Sequence, residues 1–477
     1  MPARQSAPRL LAARAAEPVD GSSLAAVRVV VGAVGVLSAA RVVAYGWIDR
    51  LYAGPAHRFT YLGLGWVPQP GPTAMAALVA VLAGASLAMA LGWRTRVAAA
   101  VLLGAFAWVE LIDATTYLNH YWFLTLVLAL GTVVPWGAAG SLDTRRRGGP
   151  RPVARGWVWL LRFQVGVVYA SAGVAKLQGD WLLRAEPLRL WLPARSGLAV
   201  VGPALEHVAT AHVLSVAGAA FDCAVVPLLL ARRTRPWAWG ALVAFHVSTW
   251  ALFPIGVFPW LMVGAATVFF APDWPRALAS RARARWAGRS RAGPGPAVGP
   301  ATVAAAGGGG GGGAVVARPA ASRAALALAT LWVVVQLALP VRHLAYGGDH
   351  RWSAQGYRFA WNVLLTEKAG SVTFLLHEPA TGRRWATDGS GLYTRSQRQV
   401  MATEPDLIHQ AARALAAQQE ARGRHVEVRV DAWLSLNGHP PARLIDPAVD
   451  LAARPRDLWD DPWILPRPAD PPAGAAR

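Results

Sequence analysis

The sequence predicts an α-helical polytopic membrane protein with about nine transmembrane helices and a C-terminal extracytoplasmic α+β domain. Three observations carry this. The 477 residues are 54% hydrophobic and only 15% charged, well below the roughly 25% charged of an ordinary soluble chain. Apolar stretches recur near 24–46, 73–92, 96–114, 117–135, 157–175, 212–230, 236–253, 255–271 and 323–340, each close to the roughly 17–25 residues that cross a bilayer. From about residue 341 onward the composition turns mixed and polar.

Taken in order, the connections alternate in charge. Arg4, Arg9 and Arg14 precede the first stretch, and Arg94 and Arg96 separate the second from the third. Arg145, Arg146, Arg147, Arg151 and Arg155 lie between the fourth and fifth, and Arg232, Arg233 and Arg235 between the sixth and seventh. Arg276 through Arg291 load the connection before the last stretch. Basic connections stay on the cytoplasmic side. The expectation is therefore a multi-pass protein of the cell membrane with its N-terminus in the cytoplasm and its C-terminal domain outside.

The division into domains follows. Residues 1–271 form a helical bundle. Residues 272–322, with seven consecutive glycines from Gly307 to Gly313, read as a flexible cytoplasmic linker rich in Gly, Ala and Arg. Residues 323–340 are the last membrane helix, and 341–477 the outer domain. In that domain Val372 opens one strand. The alternation from Val426 to Leu436 reads as another, ending in the hairpin signal Asn437-Gly438. Residues 404–421 read as a helix.

A net charge of +21 would suggest nucleic acid in a soluble chain. Here the arginines sit between apolar stretches, so an orienting role replaces nucleic-acid binding. One cysteine, Cys223, excludes an intrachain disulfide and an all-cysteine metal site. No His or Glu pair at metal spacing lies within one stretch, which argues against a metal. Neither a phosphate-cradling glycine loop nor a Gly-x-Ser-x-Gly elbow is present.

Of 47 basic residues only Lys176 and Lys368 are lysine. Arginine cannot lose its proton in a protein and lysine can, so a lysine surviving such arginine bias points to use of its neutral amine. Ionisable groups inside membrane stretches are functional candidates. They fall into three clusters: Glu110, Asp113, Asn119 and His120; Arg162, Gln164, Tyr169 and Lys176; Asp222 and His246. Other readings stay open. Lys176 can be a cation paired with Asp180. Asp222 and His246 can be a structural pair between helices. Arg162 can snorkel to the interface, and Lys368 can pair with Glu367.

The segments carrying these residues resemble the vitamin K-dependent γ-glutamyl carboxylases, closest to the bacterial branch with its horizontally transferred transmembrane (HTTM) domain. Leu111–His120 resembles the segment whose Asn-His pair opens the fourth helix. Leu161–Trp181 resembles the segment carrying the base lysine, and Phe245–Trp260 the seventh and eighth helices. The likeness continues through Gly356–Lys368 and Asp431–Asn437 and ends near Ile445–Asp450. Ala114 and Asn362 depart from residues common in the family.

The resemblance implies the following chemistry. A reduced vitamin K, phylloquinone or menaquinone hydroquinone, is deprotonated and reacts with O₂. The base so formed removes a γ-proton from a glutamate side chain, CO₂ adds to the carbanion, and the quinone leaves as an epoxide. No metal takes part. Lys176, His120 and Asn119 would be catalytic, with Lys176 the base and the other two hydrogen-bonding the quinone oxygens. Tyr169, Asp113 and His246 would line the quinone pocket. Tyr357, Trp361 and Lys368 would face the glutamate. Partners would be membrane lipid, a glutamate-containing protein or peptide, and a quinone-reducing enzyme. Two alternatives stand beside this: a quinone-dependent epoxidase or oxidase that does not carboxylate, and a non-enzymatic lipid-binding membrane protein.

Overall fold

Among the described residues a bundle of apolar helices forms in the order expected, and a small sheet domain sits on one end of it. The computed structural model of the chain describes residues 7–290, 323–458 and 461–469. The bundle comprises α1 (Ser22–Ala44), α2 (Pro72–Leu91), α3 (Thr95–Ile112), α4 (Asn119–Gly131), α5 (Arg155–Lys176), α6 (Val208–Leu230), α7 (Arg235–Leu252) and α8 (Phe258–Ala265). After these come α9 (Trp274–Ser290) and α10 (Arg323–Val341).

Among the described residues six helices are long and apolar enough to cross a membrane, namely α1, α2, α3, α5, α6 and α10. The other three stretches form shorter or more polar helices. α4 has 13 residues, about 20 Å at 1.5 Å per residue, against a hydrocarbon layer of about 30 Å. α8 has 8 residues. α7 has 18 but carries Arg235, three tryptophans and His246. Apolar sequence marks burial in protein as well as in lipid, and α4 buries Phe123, Leu126, Val127 and Leu128 against its neighbours.

The linker expected at 272–322 begins with a helix instead. Trp274–Ser290 is mostly Ala and Arg, both strong helix formers, with Pro275 in the first turn where its missing N–H costs nothing. Residues 291–322, including the glycine run, lie outside the described residues.

The C-terminal domain is a four-stranded antiparallel sheet with one main helix. Its strands are β1 (Lys368–Glu378), β2 (Arg383–Thr387), β3 (Glu427–Leu436) and β4 (Ala442–Arg443), in the order β2-β1-β3-β4. Lys368 pairs with Leu436 and His377 with Glu427. Val428, Val430, Ala432, Leu434 and Leu436 alternate inward on β3 and meet the Leu407, Ile408, Ala411 and Leu415 face of α11 (Pro405–Glu420). Asn437 and Gly438 both take positive φ, 50° and 71°, and the His439 N–H closes the turn on the Leu436 carbonyl. These are the dihedral signs of the hairpin turn that Asn-Gly favours.

Candidate functional site

The arginine-poor ends of the helices meet the sheet domain, and the candidate residues gather there. Lys176 ends α5. Three small residues precede it in one turn, Ser171, Ala172 and Gly173. A Cβ on Gly173 would stand 2.9 Å from the Cys223 backbone nitrogen and 3.1 Å from the Asp222 carbonyl carbon. The glycine therefore lets the α6 backbone close onto α5. That approach sets Asp222 Oδ2 2.9 Å from Lys176 Nζ, with both side chains buried. Nζ also donates to the Val363 carbonyl at 3.2 Å and the Ala172 carbonyl at 3.5 Å, so its three N–H groups find three acceptors.

Lys176 and Asp222 line a cavity of about 520 Å³ together with Asn119, His120, Tyr169 and His246. Leu214, Phe221, Phe245, Phe253, Phe258 and Met262 supply apolar wall. Across it the Tyr169 hydroxyl and His246 Nε2 are 2.6 Å apart. His246 Nδ1 is buried with no hydrogen-bond partner among the described residues. His120 packs its ring against Tyr121 and Phe258 at 4.6 and 5.3 Å. Asn119 is more committed: its Oδ1 accepts from the Tyr117 hydroxyl at 2.9 Å and its Nδ2 donates to the Asn362 carbonyl at 3.1 Å.

The lid of this cavity is the loop that leads into β1. Val363 and Leu364 line the cavity. Phe359, Trp361 and Leu364 hold φ of 62°, 51° and 53°, positive values that non-glycine residues rarely adopt and that concentrate at functional sites. Trp361, expected beside the glutamate, is placed inward. It is 1% exposed, sits in the bundle core and lies 6.3 Å from the Phe123 ring on α4, anchoring the loop so that its neighbour Val363 reaches Lys176.

Other expectations are corrected by the contacts. Asp113 lies outside the cavity. Its carboxylate accepts from the Thr115 N–H and hydroxyl and, at 2.6 Å, from Gln397 Nε2 of the outer domain, so it is a docking point for that domain. Lys176 does not pair with Asp180, nor Asp222 with His246. Asp180 instead receives Arg351 at 3.2 Å, Asn437 at 3.2 Å and His439 at 2.8 Å. Burial opposes its ionisation, but the hydrogen bonds of His439 and Asn437 and the Arg351 charge outweigh that and hold the carboxyl below its ordinary value. Arg162 donates to the carbonyls of Val268, Phe269 and Phe270 just past α8, a helix-end cap rather than a snorkelling cation.

Tyr357 and Lys368 are neighbours, but away from the cavity. The Tyr357 hydroxyl meets Thr366 Oγ1 at 2.8 Å. Lys368 Nζ sits 5.6 Å over the Tyr357 ring and donates to the Thr403 carbonyl at 3.3 Å. Burial lowers the Lys368 pKa against the opposing charges of Glu404 and Asp349. Glu367 is not its partner; that carboxylate accepts from Trp191 Nε1 at 2.6 Å. Asp222 is the cavity residue that sequence reasoning gave no catalytic part. Its signal was the small-residue turn at Gly173, which marks where α6 comes close.

Two family models match in chain order. The HTTM domain matches residues 16–274, more than half of the chain. The lumenal domain of vitamin K-dependent gamma-carboxylase matches residues 321–470. No solved structure matches the chain. With membrane-length helices followed by this outer domain, the chain belongs to the vitamin K-dependent γ-carboxylase family.

Proposed function

We propose that this chain couples the O₂-dependent epoxidation of a reduced vitamin K, phylloquinone or menaquinone hydroquinone, to addition of CO₂ at glutamate side chains of a protein or peptide. The observation carrying this reading is the convergence of Lys176, Asp222, His120, Tyr169 and His246 on one apolar-walled cavity. The donor set fits a lipophilic quinone. The walls take the ring and tail, and the unpartnered His246 Nδ1 and the His120 ring offer hydrogen bonds to its oxygens. When bound, the reduced quinone supplies the reducing equivalents and, with O₂, the strong base needed to remove a γ-proton.

The chain's own residues handle the first proton. Lys176 Nζ lies among three acceptors, the Asp222 carboxylate and the carbonyls of Val363 and Ala172. To act as a base it must first pass a proton to Asp222, 2.9 Å away. In a dry cavity an amine and a carboxylic acid can replace the ion pair, and the two groups share their protons as a unit. Lys176 then takes a hydroxyl proton, and His120 and His246 stabilise the oxygen left behind. The Tyr169–His246 pair fixes the imidazole in place. The 359–364 loop covers one side of the cavity with Val363 and Leu364, and apolar cover strengthens each of these interactions.

The sheet domain faces the extracytoplasmic side in this reading, because the arginine-rich connections lie at the opposite end of the bundle. Tyr357 and Lys368 belong to the glutamate side, and a quinone-reducing enzyme regenerates the fuel. The test is a paired assay on the full chain in detergent, following quinone epoxide and labelled CO₂ in a glutamate peptide. Both products are expected. Epoxide without fixed CO₂ would leave a quinone epoxidase, and neither product would leave a lipid-binding protein.

A further inference from the structure

A second large cavity lies at the opposite, arginine-rich end of the bundle. It is a groove of about 1050 Å³ between α5 and α10. Its floor is apolar, from Trp157, Trp159, Leu160 and Phe163 on α5 and Ala329 and Val333 on α10. Its rim carries four arginines, Arg94, Arg96, Arg147 and Arg151, all exposed. Among the described residues none of the four makes an ion pair with a carboxylate closer than 4 Å; Arg94 rests against the Trp93 ring. The single acid in the lining, Asp143, is already taken. Its oxygens accept from the Arg94 and Thr95 N–H groups and the Thr95 hydroxyl.

The same furrow continues along α5 and α10, sharing Trp159 and Phe163 with a cavity at the outer end. That far end is different in charge. There Asp349 binds Arg351. Arg351 there also pairs with Asp180, and Arg162 is engaged by the carbonyls of Val268, Phe269 and Phe270, so a ligand with an anionic head and an apolar body finds its uncommitted arginines at the other end. α10 also leaves room for it, since only 11% of its most apolar window is buried. Gln164 of α5 accepts from Trp332 Nε1 and donates to Gln336 Oε1 on α10.

We propose that this groove is a binding site for an anionic phospholipid, the phosphate seated on the arginine rim and an acyl chain lying between α5 and α10. Charge decides the headgroup. Basic residues near the membrane surface attract anionic lipid, and a zwitterionic headgroup brings a cation that the rim repels. The apolar floor decides for lipid over free phosphate. The bound chain fills the gap beside α10, the helix that leads into the outer domain.

The experiment is native mass spectrometry of the full chain, titrated with phosphatidylglycerol and phosphatidylcholine of matched acyl chains. The wild type is expected to retain phosphatidylglycerol preferentially, with no displacement by inorganic phosphate. Replacing the rim (Arg94→Gln, Arg96→Gln, Arg147→Gln and Arg151→Gln together) is expected to cut retention at least about tenfold. A control removing four arginines from the same end but outside the groove, Arg145→Gln, Arg146→Gln, Arg232→Gln and Arg233→Gln, is expected to keep most of it. Equal retention of the two lipids, displacement by phosphate, or equal loss in the two quadruple variants overturns the site. Should the rim variant not fold, Ala329→Trp decides. It fills the floor with every arginine intact, and unchanged retention there overturns the site as well.

Discussion

Lys176 Nζ and Asp222 Oδ2 stand 2.9 Å apart, joining α5 to α6 through side chains of 6% and 5% exposure. A buried pair of this kind is costly to break from one side, about 3–5 kcal/mol, because the remaining charge has no water. Asp222→Asn should therefore lower thermal stability. If Asp222 also receives the lysine proton, the variant should lose epoxidation about 10²–10⁴-fold, the usual weight of acid–base assistance. A Lys176→Met/Asp222→Asn double variant, measured by thermal unfolding and epoxide formation, should regain stability and not activity. Epoxidation near wild type in Asp222→Asn would remove Asp222 from the proton path.

Gly173 should be intolerant of a methyl group. Its Cβ would meet Cys223 Sγ at 2.8 Å and Cys223 N at 2.9 Å, and backbone cannot swing aside. Gly173→Ala should cost about 1–3 kcal/mol as overpacking and slow epoxidation by widening the Lys176–Asp222 gap. Gly179, six residues on, has nothing within 4 Å of its Cβ position, so Gly179→Ala should stay within about 0.5 kcal/mol. Similar unfolding temperatures for the two variants would show that the helices do not depend on that contact.

Much of this was legible because hydropathy reports burial in any medium. Each of the six described helices long and apolar enough to cross a membrane falls on an expected stretch, and Lys176, Asn119, His120, Tyr169 and His246 line one cavity. Span length was less legible. The stretch at 117–135 joins a 13-residue helix to a non-helical tail of equal apolarity, and composition alone does not separate them. Partners were illegible where they are remote in sequence. Asp113 finds Gln397, 284 residues away, and Asp180 finds His439, 259 away. Helical phase says which way a side chain points along its own helix, but not which neighbour it meets. The packing of Trp361 was illegible for the same reason: it belongs to the outer domain in sequence and to the bundle core in space.

Asp180 should make docking of the outer domain sensitive to acid. Its folded carboxyl lies below the ordinary aspartate value, near 3.9 in a free chain. The stabilisation is thus complete above that value and is lost as pH falls through the lower folded one. Thermal unfolding of wild type and Asp180→Asn should differ by a constant gap from about pH 6 upward. The gap should shrink as the solution is acidified below about pH 4. A gap independent of pH would show that the hydrogen bonds of Asn437 and His439, and not the charge, hold the interface.

Lys368 is expected to separate the two proposed half-reactions. Its ammonium lies over Tyr357 and against the Thr403 carbonyl, apart from the cavity that holds Lys176. Lys368→Ala should raise the KM for a glutamate peptide at least about tenfold, the loss of one charge-assisted contact, while epoxidation driven by saturating peptide changes little. An equal fall in both activities, or none in either, would take Lys368 off the glutamate side.

Lys176→Arg is the sharpest test of the base. The contacts of Lys176 suit a structural cation: three N–H groups meet Asp222, Val363 and Ala172. Arginine has five donors and a permanent charge, so a purely structural lysine should be replaceable by it, with stability and activity largely kept. A base is not replaceable in this way, because guanidinium does not accept a proton at any working pH. The expected result is that Lys176→Arg folds better than Lys176→Ala yet is as inactive, about 10²–10⁴-fold below wild type in epoxidation. A small primary amine added to Lys176→Ala should restore part of that activity, since the vacated volume adjoins the cavity and the amine can supply the missing acceptor. Guanidine at the same concentration should restore none. Epoxidation near wild type in well-folded Lys176→Arg would end the assignment of Lys176 as the base and transfer the role to His120, which lines the same cavity.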